Sequence, residues 1–145
     1  MGEYILSLVV IHNAFEFLSM SDTVKNVLVL SGSCNEETLT EFTLSGYTDL
    51  ETIVIGDDCF QNVAQFHIGH INSLRSLVIG HNSFANANST VDKSFSIVDC
   101  NQLRTIDISA FSFTEFTSMR LQSRFFISIQ VRSSPSGNRY DRRLG

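Results

Sequence analysis

The sequence predicts a β-rich solenoid of about six stacked repeats, each roughly 24 residues long and each adding one strand to a parallel sheet. Two observations carry this prediction: a spacing of apolar residues recurs along nearly the whole chain, and a second apolar pair recurs in phase with it. A third observation argues against the main alternative. No window sustains the 3.6-residue periodicity of an amphipathic helix for long enough to compete with the strand pattern.

The segment LRSLVIGHNSF, residues 74–84, defines the recurring spacing. It consists of three apolar residues, a turn residue and a closing aromatic residue: Leu74, Leu77, Ile79, Asn82 and Phe84. Copies begin at residues 5, 24, 50, 74, 103 and 126. The second and third apolar residues lie two apart, so they share one face of a strand, which we expect to be buried. In the first copy these residues are Leu8 and Val10, and Phe15 is expected to fill the corner.

Two further features recur in most copies. The second apolar pair is predicted to form the opposite wall of the core: Phe42 and Leu44, Phe66 and Ile68, Phe95 and Ile97, and Met119 and Leu121. The turn position after the strand holds Asn13, Asp58 and Asn82 in three copies, whose side chains are expected to satisfy nearby backbone groups. Gly32 also suits a turn, whereas Phe111 does not and predicts a different turn in the fifth copy.

The pattern Leu-x-x-Leu-x-Ile-x-x-Asn-x-Phe at residues 74–84 resembles the conserved segment of leucine-rich repeat proteins. The glycine after the strand and the closing phenylalanine make it more similar to the surface-type repeats called BspA-like. The resemblance covers about residues 4–131. It implies a right-handed coil with the parallel sheet on the concave face, irregular convex connections, and interaction rather than catalysis. We therefore assign residues 1–131 to a leucine-rich repeat domain and residues 132–145 to a basic tail expected to be disordered.

The outward side chains of the predicted sheet form two columns that are candidates for partner contact. One column is polar: Ser7, Asn26, Thr52, Ser76, Thr105 and Ser128. The other begins with four apolar residues: Val9, Leu28, Val54, Val78, Asp107 and Gln130. Adjacent exposed apolar side chains are typical of an interaction surface, although the strand propensity of valine offers a simpler explanation. The best contact candidates are Thr52, Val54, Ser76, Val78, Thr105 and Asp107.

No constellation of residues predicts an enzyme, a cofactor or a metal site. His67 and His70 lie three residues apart, but the sequence offers no further ligand for a metal ion. We therefore expect them to be solvated or hydrogen-bonded surface residues. Cys34 stands where other copies have the closing phenylalanine, so it is expected in the core, and no motif supplies a base for a nucleophilic cysteine. Asp57 and Asp58 fall in a turn, which explains them more simply than acid–base catalysis. The sequence contains no glycine-rich phosphate loop or serine elbow.

Charge is distributed unevenly along the chain. Residues 1–131 contain six lysine and arginine residues against 14 acidic residues, whereas the tail contains four arginines against one aspartate. An acidic body argues against broad contact with phosphates, so nucleic acid is not a predicted partner. The tail is expected to be a disordered end, with tethering to an acidic partner or membrane surface as the alternative.

The segment 85–94, ANANSTVDKS, lengthens the spacing between two copies and is predicted to protrude as a loop. It contains the tripeptide Asn88-Ser89-Thr90, the only N-glycosylation acceptor pattern in the chain. The pattern is meaningful only in a secreted protein, and such tripeptides also occur by chance.

We expect a non-enzymatic module that binds a protein or a glycan through the concave face. The alternative is a structural fragment of a longer repeat array that associates through uncapped ends, because terminal repeats normally need caps. No stretch reaches the roughly 20 apolar residues of a membrane helix. The apolar stretch that starts near residue 4 lacks the basic residue and the cleavage site of a signal peptide. The compartment is left open, and the resemblance allows a surface or secreted protein if N-terminal sequence is missing.

Overall fold

The computed structural model describes residues 8–122 and 128–131. Within these ranges the chain forms ten strands and one short helix. In chain order the elements are β1 (Leu8–Ile11), α1 (Ala14–Leu18), β2 (Asn26–Val29), β3 (Glu41–Ser45), β4 (Thr52–Ile55), β5 (Gln65–Gly69), β6 (Ser76–Ile79), β7 (Ser94–Val98), β8 (Thr105–Ile108), β9 (Ser118–Gln122) and β10 (Ser128–Val131). The predicted disordered tail and the predicted outward residue Ser7 lie outside the described residues.

The strands form two sheets in which every pairing is parallel. Sheet A has six strands in the order β1-β2-β4-β6-β8-β10, and sheet B has four in the order β3-β5-β7-β9. From β2 onward the chain alternates between the two sheets, so two neighbouring strands of one sheet are joined through a strand of the other. The fold is therefore β-rich with almost no helix, and the parallel strands predicted at the recurring spacing are confirmed in sheet A.

Sheet B shows that the expectation of mostly irregular connections was wrong. Phe42 and Leu44 of β3 are buried while their neighbours face solvent, and Phe66 and Ile68 of β5 repeat the pattern. Phe42 lies beside Phe66 in register, so successive copies of the apolar pair are aligned. Because aligned extended segments can satisfy one another's backbone groups, they pair as strands instead of remaining irregular.

Two stacks of phenylalanine rings fill the space between the sheets. One stack, from sheet B, contains Phe42, Phe66 and Phe95, with ring centroids 4.6 and 4.7 Å apart. The other, from the turns after sheet A, contains Phe60, Phe84 and Phe113, with centroids 5.2 and 4.6 Å apart. Rings of the two stacks meet edge to face, as between Phe66 and Phe84 at 5.2 Å. Stacked and edge-to-face pairs are the favoured aromatic arrangements, so the rings hold neighbouring strands in register.

A polar ladder runs beside the phenylalanine stacks. The buried Ser83 hydroxyl accepts a hydrogen bond from the backbone N–H of Cys59 at 3.1 Å and donates one to the Gly56 carbonyl at 2.9 Å. Ser112, at the equivalent position after β8, accepts from the Ser83 N–H at 3.2 Å and donates to the Gly80 carbonyl at 2.7 Å. Each hydroxyl therefore bonds backbone groups of the preceding turn that the strands themselves do not satisfy.

The turns that leave sheet A share one backbone geometry. Gly32, Asp58, Asn82 and Phe111 stand at equivalent positions and all have positive φ, from 55° to 79°. The Asn82 N–H donates to the Ala110 carbonyl at 3.0 Å, just as the Asp58 N–H donates to the His81 carbonyl at 2.9 Å. The prediction of a different turn at Phe111 was therefore wrong: the backbone bonds between successive turns hold the phenylalanine in the left-handed region at a cost in strain.

Replacing Phe111 with asparagine is expected to raise the free energy of unfolding by up to about 1 kcal/mol, because asparagine adopts the left-handed region more readily. The Phe111 side chain is 43% exposed, so its removal sacrifices little burial. Chemical denaturation measures the change. Asn82→Phe, the reverse substitution at the equivalent position, is the matched control and should lower stability. A Phe111→Asn variant less stable than the wild type would contradict this explanation.

The first strand is shifted by one residue from the predicted register. Leu8 lies beside Asn26 and Val10 beside Leu28, so both point outward, while Ile11 is fully buried. The predicted inward pair Leu8 and Val10, and the predicted outward Val9, are therefore corrected. A one-residue slip moves every side chain of a strand to the opposite face, and alternation alone cannot fix register in a stretch that is apolar throughout.

Helix α1 explains the shift. Asn13, predicted at the turn position of the strand, has φ −158° and caps α1 by accepting a hydrogen bond from the Glu16 N–H at 2.9 Å. Phe15, predicted in the core corner, is 77% exposed. Phe17 takes that role instead, its ring 4.9 Å from that of Phe42. The smaller Cys34, which replaces the closing phenylalanine of the next copy, is buried there too.

Candidate binding surface

The six predicted contact residues lie together on the outward face of sheet A. Thr52, Ser76 and Thr105 are side by side in register on β4, β6 and β8. The second column places Val54, Val78 and Asp107 on the same three strands, two residues further along. Each of the six keeps part of its surface exposed, while the intervening residues on each strand are buried. Alternation in a half-buried sheet produces this arrangement.

The first column is polar over most of its length. It continues from Thr52 to Asn26 on β2, where the Thr52 hydroxyl donates to the Asn26 side-chain oxygen at 2.6 Å. The column ends in Leu8 on β1, which is 48% exposed. Hydroxyl and amide groups at strand spacing offer both donors and acceptors to a ligand that lies across the sheet.

The second column contains an apolar strip, defined here as Val10, Leu28, Val54 and Val78. These residues lie in register on four adjacent strands, and Val10 is 37% exposed. At about 4.8 Å between strands the strip is about 14 Å long, measured between its outermost strands. Asp107 on β8 and Gln130 on β10 continue the column as polar residues. The sequence identified three of the four members and missed Val10, because the one-residue shift in β1 hid it.

Among the described residues that point outward from sheet A, none is aromatic. A groove of about 230 Å³ lies between α1 and β3, lined by Phe17, Leu18, Thr38, Leu39, Thr40, Glu41 and Thr43. None of the predicted contact residues lines this groove.

The histidines and aspartates singled out in the sequence take part in local contacts. The His67 Nδ1 atom lies 2.6 Å from the Ser96 hydroxyl, and the His70 Nδ1 atom lies 3.1 Å from an Asp99 carboxylate oxygen at the surface. Over residues 8–122 and 128–131, no three His, Cys, Asp or Glu side chains come close enough to hold a metal ion.

The Asp57–Asp58 pair joins successive turns. Asp57 Oδ1 accepts a hydrogen bond from the His81 N–H at 2.8 Å, and the Asn82 side-chain amide donates to Asp58 Oδ1 at 2.6 Å. Asp58 and Asn82 were predicted to satisfy backbone groups from the turn position; instead their side chains bond to each other across neighbouring turns. Both carboxylates are engaged in holding the turns together, which is a structural role.

All three cysteines are buried thiols, as the sequence predicts for Cys34. Burial raises the pKa of the Cys34 thiol to about 12, with smaller contributions from nearby acidic groups and Cys59. Burial also raises the pKa of Cys59 and of Cys100. Because the thiolate is the reactive form, these side chains are weak nucleophiles at neutral pH.

Comparison with protein-family models, with curated proteins and with solved structures finds no match to this chain. In the part of the chain that the structure describes, no helix is long and apolar enough to cross a membrane.

Proposed function

We propose that this chain is a leucine-rich-repeat-like solenoid that binds another protein through the outward face of sheet A, without catalysis. The observation that carries the proposal is the apolar strip: Val10, Leu28, Val54 and Val78 keep apolar surface in water on four adjacent strands. Burying such a strip against a partner removes apolar area from water, which is the main driving force of association.

The composition of the face favours a protein over a glycan. A protein partner can cover the strip with its own apolar side chains while its polar groups bond to Asn26, Thr52, Ser76 and Thr105. This combination of an apolar centre and a polar margin is typical of protein–protein interfaces. The outward residues of sheet A described above include no aromatic ring on which a sugar could stack. A glycan is therefore the second candidate ligand for the outward face of sheet A.

Replacing Val54 and Val78 with aspartate is expected to weaken partner binding by at least about 2 kcal/mol, the loss typical of residues at the centre of an interface. Two charges in the strip would have to lose their hydration when the partner covers them. The measurement compares proteins retained from cell extract by the immobilised wild type and by the variant, together with a glycan-array screen of both. A protein-binding face predicts partners lost with the variant and no glycan signal.

The matched control places the same two charges on the outward face of sheet B, at the exposed residues Thr43 and Ser118. Thr43→Asp with Ser118→Asp should retain every partner of the wild type. Circular dichroism and thermal unfolding check that each variant folds. Partners that bind Val54→Asp/Val78→Asp as well as the wild type would exclude the apolar strip as the binding surface. A glycan signal that the variant loses would instead favour the glycan reading.

A second candidate function is assembly into a longer array through the end of sheet A. Among the described strands, β1 stands at one end of sheet A, and its outward residues Leu8 and Val10 are 48% and 37% exposed. Head-to-tail contacts between identical chains build open arrays when they do not close into a ring. Light scattering distinguishes the two functions: concentration-dependent mass that persists in Val54→Asp/Val78→Asp and disappears in Leu8→Asp favours assembly.

A further inference from the structure

The loop between β6 and β7 projects from a fixed base. Residues 88–92 are all exposed, whereas Lys93, immediately before β7, is only 3% exposed. The Lys93 ammonium donates hydrogen bonds to the backbone carbonyls of Asn88 at 3.0 Å and Val91 at 3.3 Å, and lies 3.6 Å from a Glu115 carboxylate oxygen. A buried ammonium needs such partners, so it holds the base of the loop in place while the tip stays in solvent.

The tip of this loop is the Asn88-Ser89-Thr90 tripeptide. The side-chain oxygen of Asn88 accepts two hydrogen bonds, from the Thr90 backbone N–H at 3.0 Å and from the Thr90 hydroxyl at 2.9 Å. Among the described residues, nothing bonds to the Asn88 amide nitrogen. The carbonyl half of the amide is therefore polarised by two donors, and the nitrogen half faces water.

We infer that Asn88 is an acceptor site for an N-linked glycan. The donor would be an oligosaccharide carried on a polyprenyl diphosphate. In the transfer, the Asn88 nitrogen forms a bond to C1 of the first sugar as the bond from C1 to the diphosphate oxygen breaks. The amide gives up one proton to a base of the transferase, and the polyprenyl diphosphate leaves with the electron pair. The threonine two residues on is part of the acceptor pattern itself.

Two features of the structure fit this modification. The contacts between Asn88 and Thr90 span only two residues, so the unfolded chain can form them before the fold is complete. In the folded protein Asn88 is exposed, and no described residue hydrogen-bonds to the attachment nitrogen. The loop joins the end of a sheet A strand to the start of a sheet B strand, so it is not part of the apolar strip. A glycan at Asn88 would add a hydrated group to this loop and leave the proposed binding face uncovered.

The test is translation of the full chain, with a cleavable signal peptide added before Met1, in a cell-free system containing microsomes. Only chains protected from added protease are scored, since these have entered the glycosylating compartment. We expect the protected wild-type chain to migrate as a heavier species that collapses to the unmodified size after treatment with a peptide N-glycosidase. Because the chain contains one acceptor pattern, we expect a shift to arise from Asn88.

Three variants test whether the shift depends on Asn88 and on the hydroxyl of residue 90. Asn88→Gln and Thr90→Ala should show no shift, while Thr90→Ser, which keeps the hydroxyl, should retain it at least in part. A protected wild-type chain that migrates at its unmodified size would overturn the inference. A shift that persists in Asn88→Gln would overturn it as well, because the modification would then lie elsewhere.

Discussion

Replacing Phe84 with alanine is expected to lower the free energy of unfolding by about 3–5 kcal/mol, one of the largest effects of any single substitution in this core. The Phe84 ring is fully buried. It is the middle ring of its own stack and also contacts the stack of sheet B. It stacks on Phe60 and Phe113 and meets Phe42 and Phe66 edge to face. Alanine would leave a cavity, because the four rings around Phe84 are packed against other rings and cannot move far to fill it.

Chemical denaturation of Phe84→Ala and Phe84→Leu measures this effect. Leucine restores most of the volume but none of the ring contacts, so its cost should be clearly smaller. The control is Phe15→Ala, since Phe15 is exposed and should change stability by no more than about 0.5 kcal/mol. Similar losses for Phe84→Ala and Phe15→Ala would show that the stacks do not carry the stability assigned to them.

Replacing Ser83 with alanine is expected to cost about 1–3 kcal/mol, because it leaves a buried backbone N–H without an acceptor. The Ser83 hydroxyl links the Cys59 N–H to the Gly56 carbonyl, and among the described residues no backbone carbonyl accepts from the Cys59 N–H in its place. Cysteine should be a partial substitute, since Cys59 occupies the equivalent position after β4 and its thiol donates to the Leu30 carbonyl at 3.1 Å.

Ser33 supplies a matched control for the Ser83 prediction. It stands at the equivalent position after β2 and is also buried, but its hydroxyl makes no hydrogen bond among the described residues. Ser33→Ala should therefore cost much less than Ser83→Ala in urea denaturation. Equal losses for the two variants would indicate that burial, and not the hydrogen-bonded ladder, sets the cost.

The sequence was sufficient to predict most of sheet A. The pairs Ile53 and Ile55, Leu77 and Ile79, and Ile106 and Ile108 recur at one spacing, and all six are buried. The outward positions of Val54 and Val78 follow from the same alternation. These predictions succeeded because a two-residue period in a half-buried strand leaves one face for the core and one for solvent.

Other features depend on interactions that the pattern does not encode. The register of β1 is set by α1 and by Phe17, which take the place of a strand in front of β3. In the sequence, Ser83 is an ordinary turn residue. Its hydrogen bonds to the preceding turn are visible only in the structure. Phe111 keeps the turn geometry because neighbouring turns impose it, so the tertiary structure overrides the residue's own preference.

The order of strands in sheet A also determines how the molecule responds to mechanical force. Strands β1 and β10 stand at opposite ends of the sheet, and backbone hydrogen bonds between neighbouring strands run across the strands toward those ends. A pull that separates β1 from β10 therefore loads the ladders one after another, so strands peel away in sequence at low force. A pull along the strand direction loads all bonds of a ladder at once, and resistance in that direction should be several times greater.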